Sequence, residues 1–536
     1  MIHINQIGYL PLAAKRAVIT DGAGTFRVVK SDGGGVVFSG DTTAVGYDEI
    51  SGDTVRHADF SAVTAPGRYR VVTDSGEESY NFDIRGGVYN ALKKDMIKAL
   101  YFQRCGYALD EKHAGVYAHG VCHAEKSAML GDPSVLLDMT GGWHDAGDYG
   151  RYITPAANTI GHLLYAFEFF PAAFTEELNI PESGNGVPDL LNECRWELEW
   201  MLKMQDGNSG GVYHKLTTLK HAPFVMPEED TAQMLVFPFS SMAAGGFAAA
   251  MALAYRVYKK YDEPFAQTML GAAKLAWRWL ADNPDFLQAP ANPEGGDTGG
   301  YWDRSDLDER YWAAAELYRA TGDSEYHDAF TALAARDFGK TGFGWEDVSA
   351  LGTVSYLFNT ERALDTAVKD KLAAIFMERA AALYDVHAND KYGTSLLAGE
   401  YVWGSNMIVG NNAIHLIIAA ILSGDDKYVR AAAAQLDYLL GANPMGISYV
   451  TGHGENAYRN PHLRTAYADG IDDPMPGWVS GGPNYMLIDP RAKELFPNGA
   501  PPAKCYADDV DCYSLNEMTI YWNSPAIFAA AYFDRG

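Results

Sequence analysis

Short runs of alternating hydrophobic and polar positions fill the first 85 residues of the chain. Turn signals rich in Gly, Pro and Asp separate these runs, as at Asp32-Gly33-Gly34-Gly35 and Ala65-Pro66-Gly67. Closely spaced short strands of this kind are typical of a small antiparallel β-sandwich of immunoglobulin-like type. The predicted strands are Arg16–Thr20, Thr25–Lys30, Val36–Phe38, Val55–Phe60, Arg68–Thr73 and Glu78–Phe82.

From Gly87 onward the hydrophobic period changes to that of a helix. Leu191, Cys194 and Leu198, for example, fall on one stripe of a single helix. Strand signals are few, and the helices recur without a repeat in the sequence, which favours a helical toroid over a solenoid. The predicted helices are Val88–Cys105, Asp189–Gln205, Phe247–Tyr261, Gln267–Ala281, Asp308–Thr321, Glu325–Phe338, Lys371–Val386, Asn411–Leu422 and Lys427–Leu440.

These patterns predict a multidomain chain, with a β-sandwich over residues 1–85 and an all-α domain over residues 86–536. Long stretches without a regular period interrupt the helical part. Loops of that length in a compact domain usually carry function, and these are rich in Trp, Tyr, His, Asp and Gly. They cover residues 141–158, 206–240, 289–306, 443–488 and 500–514.

The charge of the chain narrows the classes of partner. The 536 residues include 42 basic and 69 acidic side chains, a net charge of −27 at pH 7. This charge would repel a phosphate backbone, so it disfavours binding to nucleic acid or to an anionic membrane. We also find no apolar run near the ~20 residues that span a bilayer. Neutral polymers, cationic ligands and divalent metals remain as partners, and we expect a monomer.

Two further features concern the cellular compartment. The N-terminus, Met1-Ile2-His3-Ile4-Asn5, has neither a basic region nor an apolar region of a secretion signal. The chain is therefore either cytoplasmic or secreted with its signal peptide removed. Its five cysteines are an odd number and do not describe a disulfide framework. A reducing compartment or a metal site explains them better.

The segment Gly141-Gly142-Trp143-His144-Asp145-Ala146-Gly147-Asp148-Tyr149 is the sharpest local feature. Its two carboxylates are three residues apart and lie between glycines, so they converge on one point if the segment turns. Two like charges this close cost free energy unless a metal, a proton or a water shares the site. The alternative is an Asp-rich surface turn.

A second group of carboxylates lies near the C-terminus, where residues 508–517 read DDVDCYSLNE. Glu517 has apolar neighbours in sequence, and burial among such residues raises the pKa of a carboxyl group. One ionised carboxylate and one protonated carboxylic acid form the pair that glycoside hydrolysis requires. The alternative is that Glu517 caps its helix or forms a salt bridge on it.

Three segments together resemble glycoside hydrolase family 9, the inverting cellulases, in the subgroup with an N-terminal immunoglobulin-like domain. Gly141–Tyr152 resembles the family's Asp motif, Ser448–Arg464 its His/Arg signature, and Asp508–Pro525 its Glu signature. The opening His3–Leu12 resembles the start of the β domain, so the resemblance covers essentially the whole chain. It implies that the helical domain is an (α/α)6 barrel.

The resemblance also implies roles for individual residues. Asp148 would be the general base that activates the hydrolytic water, Asp145 would position that water, and Glu517 would be the general acid. His462 and Arg464 would bind the sugar at the point of cleavage. Many family members have a second His directly after the first, whereas this chain has Leu463, which removes one donor.

The function implied is inverting hydrolysis of β-1,4-glucosidic bonds in cellulose-type glucans by an endoglucanase. One alternative is an exo-acting β-glucosidase or glucosaminidase of the same family that acts on short oligosaccharides. Another is a carbohydrate-binding protein that has lost turnover, although the presence of all three carboxylates argues against it. Flat aromatic side chains stack on sugar rings, and Trp403 and Tyr513 are the candidates, while Trp143, Trp345 and Trp522 fit core packing equally well.

Cys105, Cys122, His123 and His144 form the pattern C-x16-C-H-x20-H. Two thiolates and two imidazoles are the number and softness of ligands that tetrahedral Zn²⁺ prefers, although the spacing matches no short zinc-finger pattern. Members of the family carry a structural zinc with this type of ligand. The metal would anchor the loop of Asp145 through His144 and, with four protein ligands, would have no open position for chemistry.

Asp308, Glu309 and Asp347 resemble calcium ligands of the family, with Asp303 or Asp306 completing the shell. The alternative is that Asp308 and Glu309 are acids at a helix N-terminus, favoured by the helix dipole. The remaining cysteines, Cys194, Cys505 and Cys512, have no assigned role, and a Cys505–Cys512 bridge stays open.

Overall fold

The structure is a computed structural model that describes residues 1–534. Its N-terminal part contains two sheets of strands that run in the order β1-β3-β7-β6 and β2-β9-β8-β4-β5. The strands are β1 (Ile2–His3), β2 (Gly8–Tyr9), β3 (Arg16–Ile19), β4 (Thr25–Lys30), β5 (Val36–Asp41), β6 (Thr43–Asp48), β7 (Asp53–Asp59), β8 (Gly67–Thr73) and β9 (Phe82–Ile84).

Both sheets contribute to one hydrophobic core, so the predicted β-sandwich is confirmed. In β4 the inward positions Phe26 and Val28 are buried, and in the antiparallel neighbour β8 Tyr69 and Val71 are buried. The other sheet adds Ile19 and residues of β1 and β7 to the same cluster. Alternation along the strands places apolar side chains on this shared face.

Five of the six predicted strands match strands of the structure, one is displaced, and three strands of the sandwich were not predicted. The last predicted strand, Glu78–Phe82, is displaced, because the ladder begins only at Phe82 and Glu78 forms an isolated bridge to Val72. Strands β1 and β2, of two residues each, were missed, and so was strand β6. Five of its six residues, from Thr43 to Tyr47, are exposed or half-buried, so the strand carries almost no hydrophobic signal.

Helices dominate the rest of the described chain. The α-helices are α1 (Asn90–Phe102), α2 (Glu111–Ala114), α3 (Ile153–Phe169), α4 (Asp189–Lys203), α5 (Ser241–Tyr258), α6 (Glu263–Asp282), α7 (Leu307–Thr321), α8 (Ser324–Ala334), α9 (Ser349–Leu357), α10 (Thr366–Asn389), α11 (Ser405–Ser423), α12 (Asp426–Leu439), α13 (Arg464–Ala468), α14 (Pro490–Leu495), α15 (Tyr513–Asn516) and α16 (Ile520–Phe533). Short 3₁₀ helices are Gly115–Tyr117, Pro171–Phe174, Pro227–Glu229, Ala398–Glu400 and Pro502–Lys504.

The chain divides into two compact units, one of Met1–Ala99 with the chain from Ala380 onward, the other of Leu100–Arg379. In the second unit, α5 packs against α3, α6 and α7. Gly245 permits one of these contacts, since a Cβ there would lie 2.6 Å from the Cβ of Glu309. The predicted boundary between residues 85 and 86 stays a prediction.

The second unit also contains a small sheet that the sequence analysis did not predict. Its strands run in the order β11-β10-β14-β13-β12 and are only two to six residues long. They are β10 (Ser127–Met129), β11 (Asp132–Leu137), β12 (Arg151–Tyr152), β13 (Lys215–Thr217) and β14 (Leu235–Val236). The expectation that residues 86–536 are all-α therefore needs this correction, because such short strands leave no detectable period.

In the first unit, the sandwich and the C-terminal helices share a polar network. The Asp53 carboxylate accepts hydrogen bonds from Lys504 Nζ at 2.6 Å and from the Tyr392 hydroxyl at 2.7 Å. The amide of Asn5 donates to Asp437 Oδ1 at 2.7 Å. Partly buried polar partners of this kind fix one arrangement of the two parts, since a shift would leave charged groups unpaired.

One helix, α11, is long and apolar enough to cross a membrane when judged by length and composition alone. However, 78% of its apolar window is buried inside the protein. A core helix of a soluble protein has the same properties, so α11 is weak evidence for a membrane span.

Candidate active site

The loop of Asp145 and Asp148 is held by backbone hydrogen bonds to the segment that follows α1. His144 N donates to Gln103 O at 2.8 Å, and Cys105 N donates to Gly142 O at 2.8 Å. Gly142 has φ of 77° and packs so closely on Trp200 that a Cβ would lie 2.7 Å from the indole ring. A side chain at this position would therefore displace the loop.

Trp143 anchors the same loop to the core through two hydrogen bonds. Its indole Nε1 donates to Glu193 Oε1 at 2.8 Å, and its backbone N donates to Glu197 Oε2 at 2.5 Å. Because the ring is buried, Trp143 is a packing residue and not a sugar platform. Trp522 is also buried.

Asp145 is almost completely buried. Its backbone N donates to Gly150 O at 2.9 Å, and its Oδ2 accepts a hydrogen bond from the Tyr301 hydroxyl. Its Oδ1 is buried without a hydrogen-bond partner among the described residues. Burial and the nearby charge of Asp148 raise the pKa of the Asp145 carboxyl well above its usual range, although the hydrogen bond from Tyr301 opposes this shift.

Asp148 points its Oδ2 toward several donors. Gly150 N donates to it at 2.9 Å, the Tyr152 hydroxyl lies 3.5 Å away, and His221 Nδ1 lies 3.2 Å away. The two Asp carboxylates thus have different surroundings, because Asp148 meets more donors than Asp145. Donors at a carboxylate stabilise its charged form, so the surroundings of Asp148 favour a negative charge there.

Sequence reasoning missed Tyr301 and His221. Both lie on long loops whose path the sequence does not reveal, in the stretches 289–306 and 206–240. Tyr301 has φ of 43°, a left-handed conformation that is unusual for a residue with a ring. The only available signal was their position in loops rich in aromatic and polar residues.

The four residues of the predicted zinc site lie together in the second unit. One ligand atom from each of Cys105, Cys122, His123 and His144 falls within 4.8 Å of all the others. Cys105 Sγ and Cys122 Sγ are 3.9 Å apart, Cys105 Sγ and His123 Nδ1 are 3.6 Å apart, and Cys122 Sγ and His144 Nε2 are 3.9 Å apart.

This arrangement fits a tetrahedral zinc ion. With Zn–S of about 2.3 Å and Zn–N of about 2.0–2.1 Å, a tetrahedron requires about 3.8 Å between sulfurs and about 3.5 Å between sulfur and nitrogen. The separations in the structure lie close to these values. His123 Nε2 lies 3.3 Å from Asp230 Oδ2, the kind of outer partner that orients a ligating imidazole. Asp230 was not among the residues predicted from the sequence.

The acidic group at the start of α7 differs from the predicted calcium set. Asp303, Asp308 and Glu309 bring their carboxylates within 4.8 Å of one another, whereas Asp347 lies outside this cluster. Asp347 still acts on it. Burial and the charge of Asp347 raise the pKa of Asp308 to about 7, and burial and the charge of Asp308 raise the pKa of Glu309 well above its usual range. Asp306 instead pairs with Arg310 at 2.9 Å.

Oxygen ligands and like charges suit Ca²⁺, and Glu309 Oε2 is buried without a hydrogen-bond partner among the described residues. Free carboxylates in this arrangement repel one another, which a cation would relieve. The residues present therefore fit a calcium ion, with Asp303 in place of Asp347 in the closest group.

In the first unit, Glu517 follows the short helix α15 and is half-buried. Its backbone is fixed on both sides, since Gly481 N donates to Glu517 O at 2.8 Å and His462 N donates to Asn516 O at 2.9 Å. These bonds bring His462 and Glu517 together as a bridged pair. Two of the three predicted motifs therefore meet.

Asp508 joins the same two segments. Its carboxylate accepts from Arg459 N at 2.7 Å, from Asn460 N at 2.8 Å and from Asn516 Nδ2 at 2.9 Å. These hydrogen bonds give Asp508 a structural role between the loop before His462 and the helix before Glu517.

His462 is oriented by its ring nitrogen Nδ1, which lies 2.6 Å from Val510 O and donates to it. This bond fixes the orientation of the ring and places a proton on Nδ1. Arg464 begins α13 and is buried, and Leu463 between them is buried too. Leu463 is therefore a core residue.

Trp403 and Tyr513 form an aromatic pair with ring centroids 5.3 Å apart and an interplanar angle of 54°. Tyr513 also contacts the His462 ring at 5.9 Å. Trp403 is 42% exposed, as a sugar-stacking side chain must be.

All five cysteines are free thiols, so the Cys505–Cys512 bridge does not form.

Comparison with known proteins finds family models that match most of the chain. The family model for glycosyl hydrolase family 9 matches residues 89–530, and the model for the cellulase N-terminal ig-like domain matches residues 1–78. A cellodextrinase from Butyrivibrio fibrisolvens is 44% identical, and the alignment covers 98% of each chain. Endoglucanase D from Acetivibrio thermocellus is 35% identical over 99% of this chain and 83% of its own length.

Solved structures are similar over the whole chain. A metagenome-derived glycoside hydrolase family 9 endoglucanase has a TM-score of 0.94 at 38% identity, with 100% of this chain and 99% of that chain covered. AaCel9A in complex with cellobiose-like isofagomine has a TM-score of 0.93 at 36% identity, with both chains fully covered.

Proposed function

Because this chain belongs to glycosyl hydrolase family 9, we propose that it hydrolyses β-1,4-glucosidic bonds with inversion, through Asp148, Asp145 and Glu517. It is a glycoside hydrolase of the cellulase type, with an N-terminal immunoglobulin-like domain followed by a helical catalytic domain. We further propose that the helical domain is an (α/α)6 barrel. The observation that carries the mechanism is the pair of unlike carboxylates, Asp145 and Asp148, on one rigid loop.

Asp148 is the general base in this proposal. The hydrogen bond from Gly150 N and the neighbouring His221 favour its ionised form. Because its pKa is raised, the Asp145 carboxyl stays protonated, and the negative charge of the loop lies on Asp148. The partnerless Oδ1 of Asp145 then accepts a hydrogen bond from the attacking water, while Asp148 takes the water's other proton.

Glu517 is the general acid. It protonates the glycosidic oxygen as the bond to the sugar breaks, while water attacks from the opposite face. The backbone bonds of Gly481 and Asn516 hold the segment in place, so the side chain is presented from a fixed position.

His462 and Arg464 bind sugar hydroxyls, with His462 held in one orientation by its bond to Val510. Trp403 and Tyr513 supply the apolar faces on which a glucosyl ring stacks. Many family members have a second His directly after the first, whereas this chain has Leu463, which is buried and supplies no donor.

A structural Zn²⁺ would be held by Cys105, Cys122, His123 and His144, and a structural Ca²⁺ by Asp303, Asp308 and Glu309 with Asp347 nearby. The first ion would supply a rigid link between three chain segments. The second ion would supply the positive charge that compensates the negative charges of the buried carboxylates. In this proposal neither ion takes part in bond cleavage, which is carried out by Asp145, Asp148 and Glu517.

The test of this proposal is Glu517→Gln, which keeps the shape of the side chain but removes the proton. We expect kcat on cellohexaose to fall about 10²–10⁴-fold, the usual contribution of a general acid. An aryl cellobioside with a good leaving group should lose less, because its departure needs little protonation. Near-native turnover on cellohexaose by a folded variant would contradict the assignment.

A second candidate is an enzyme that prefers short cellodextrins and removes units from a chain end. The 44% identity to a cellodextrinase over nearly the whole of both chains favours it. The products from cellohexaose separate the two candidates. Early release of one product size indicates exo action, whereas a mixture of sizes together with a rapid fall in carboxymethylcellulose viscosity indicates endo action.

A further inference from the structure

Lys215 is a fully buried lysine on strand β13. Its ammonium donates to three oxygen atoms of a single loop, Gly299 O at 2.6 Å, Asn292 Oδ1 at 2.7 Å and Thr298 Oγ1 at 3.2 Å. An ammonium group carries three donors. All three N–H donors of the Lys215 ammonium therefore bind residues of the loop 292–299.

This loop leads directly into Tyr301. The residue before Lys215 acts on it too, since His214 Nε2 lies 2.9 Å from Gly300 O. Tyr301 is held at φ of 43° and packs on Tyr152 with ring centroids 4.7 Å apart. A left-handed conformation of this kind costs free energy and persists only where its surroundings enforce it.

The hydroxyl of Tyr301 donates to Asp145, while the hydroxyl of Tyr152 lies 3.5 Å from Asp148. Strand β12 pairs with β13 so that Tyr152 lies opposite Lys215. One lysine thus contacts the loop that orients Tyr301 and lies beside the strand that carries Tyr152.

We propose that Lys215 is a positioning residue for the hydrolytic reaction, which holds residues 292–300 so that Tyr301 fixes the Asp145 carboxyl. This inference rests on the roles of Asp145 and Asp148 proposed above. Lys215 itself does not touch the substrate in this account. It acts on the water-binding carboxylate through the chain Lys215, Gly299, Tyr301 and Asp145.

The surroundings explain why this position needs a lysine. The ammonium lies 4.3 Å from the centroid of the Phe237 ring, which favours a cation. Burial lowers the pKa of Lys215 to about 8, and the charge of Asp148 opposes that shift, so the group is still mainly protonated at pH 7. A methionine would fill the same volume without donors or charge.

The test is a double-mutant cycle on Lys215→Met and Tyr301→Phe, with kcat and KM measured on cellohexaose. We expect Lys215→Met to lower kcat about 10–100-fold with KM changed little, because a small displacement of a positioned group costs rate more than binding. Tyr301→Phe should give a similar loss. The double variant should be no worse than the poorer single variant, since both changes break the same chain of contacts.

Lys15→Met is the matched control. Lys15 is also fully buried, and its ammonium donates to Pro11 O at 2.7 Å, Ala13 O at 2.8 Å and Ser61 O at 3.4 Å, all in the β-sandwich. We expect this variant to lower the melting temperature and leave kcat unchanged. If Lys215→Met fails to fold, Asn292→Leu removes one acceptor of the ammonium and should reproduce the kcat loss.

The possible outcomes distinguish a failure of this inference from a failure of the proposed function. Losses that multiply in the double variant overturn the inference, as does a folded Lys215→Met with wild-type kcat beside an impaired Tyr301→Phe. A kcat loss in Lys15→Met equal to that of Lys215→Met also overturns it, because general destabilisation would then explain both. Wild-type kcat in Tyr301→Phe overturns it as well, because Tyr301 would then not be needed to fix Asp145, whereas wild-type kcat in Asp145→Asn would instead remove the role given to Asp145.

Discussion

Replacement of Cys122 by Ser tests the zinc site and its link to the catalytic loop. The variant exchanges a soft thiolate for a hydroxyl, which is a poor ligand for Zn²⁺. Cys122 is adjacent in sequence to His123, and its sulfur lies 3.9 Å from both Cys105 Sγ and His144 Nε2. The change therefore removes one of four ligands without altering the backbone bonds of the loop.

The size of the effect follows from the geometry. Structural zinc sites with four ligands contribute about 10–16 kcal/mol, so the loss of one ligand costs about 2.5–4 kcal/mol if the ligands share that energy evenly. At about 2 °C per kcal/mol for a large domain, the melting temperature should fall by about 5–8 °C. Activity should fall as well, since His144 directly precedes Asp145.

The assay combines metal analysis with thermal unfolding in the presence and absence of a chelator. Wild-type protein should contain one zinc per chain and lose stability with chelator, whereas Cys122→Ser should contain little zinc and not respond. Cys194→Ser is the control, because Cys194 is equally buried in the same unit but lies outside the cluster. It should lose some stability yet keep its zinc.

Two results would refute this reasoning. Less than about 0.2 zinc per chain in wild-type protein prepared without chelator would reject the site, because a closed four-ligand site holds its metal tightly. A Cys122→Ser variant with full zinc content and unchanged response to chelator would show that the metal has other ligands.

Two further predictions concern the carboxylates. Asp148→Asn should lower kcat about 10²–10⁴-fold on every substrate, and rescue by a better leaving group would contradict its role as base. Calcium at 100 times its dissociation constant should stabilise the protein by about 2.7 kcal/mol. Asp308→Asn should abolish this shift in melting temperature, and Asp306→Asn, whose carboxylate pairs with Arg310, should keep it; equal shifts in both variants would reject the cluster.

The sequence predicted those elements best whose signals are local. Helix α6 was expected at Gln267–Ala281 and is found at Glu263–Asp282, because one face is apolar and Asp262 caps its first turn by accepting from Phe265 N at 3.0 Å. By contrast, α3 and α16 are buried on nearly all sides. A helix without a polar face has no amphipathic period, so the sequence pattern did not distinguish these helices from loop.

The same division holds for the candidate site. Asp145, Asp148, His462 and Glu517 could be named as candidates because each lies in a compact motif, and the candidate zinc ligands could be named from their residue types. Tyr301 and Lys215 depend on the path of the loop at 292–301 and on a left-handed residue. No local rule encodes that path, since it follows from contacts between segments far apart in the chain.

The stereochemistry of the first product is the most direct test of the central claim. Proton NMR spectra of cellohexaose hydrolysis, recorded before mutarotation equilibrates the anomers, report the configuration at the new reducing end. An inverting enzyme that uses Asp148 to activate water releases the α-anomer from a β-linked substrate. Initial release of the β-anomer would contradict the account, because it requires a covalent glycosyl-enzyme intermediate and a nucleophile in place of a base.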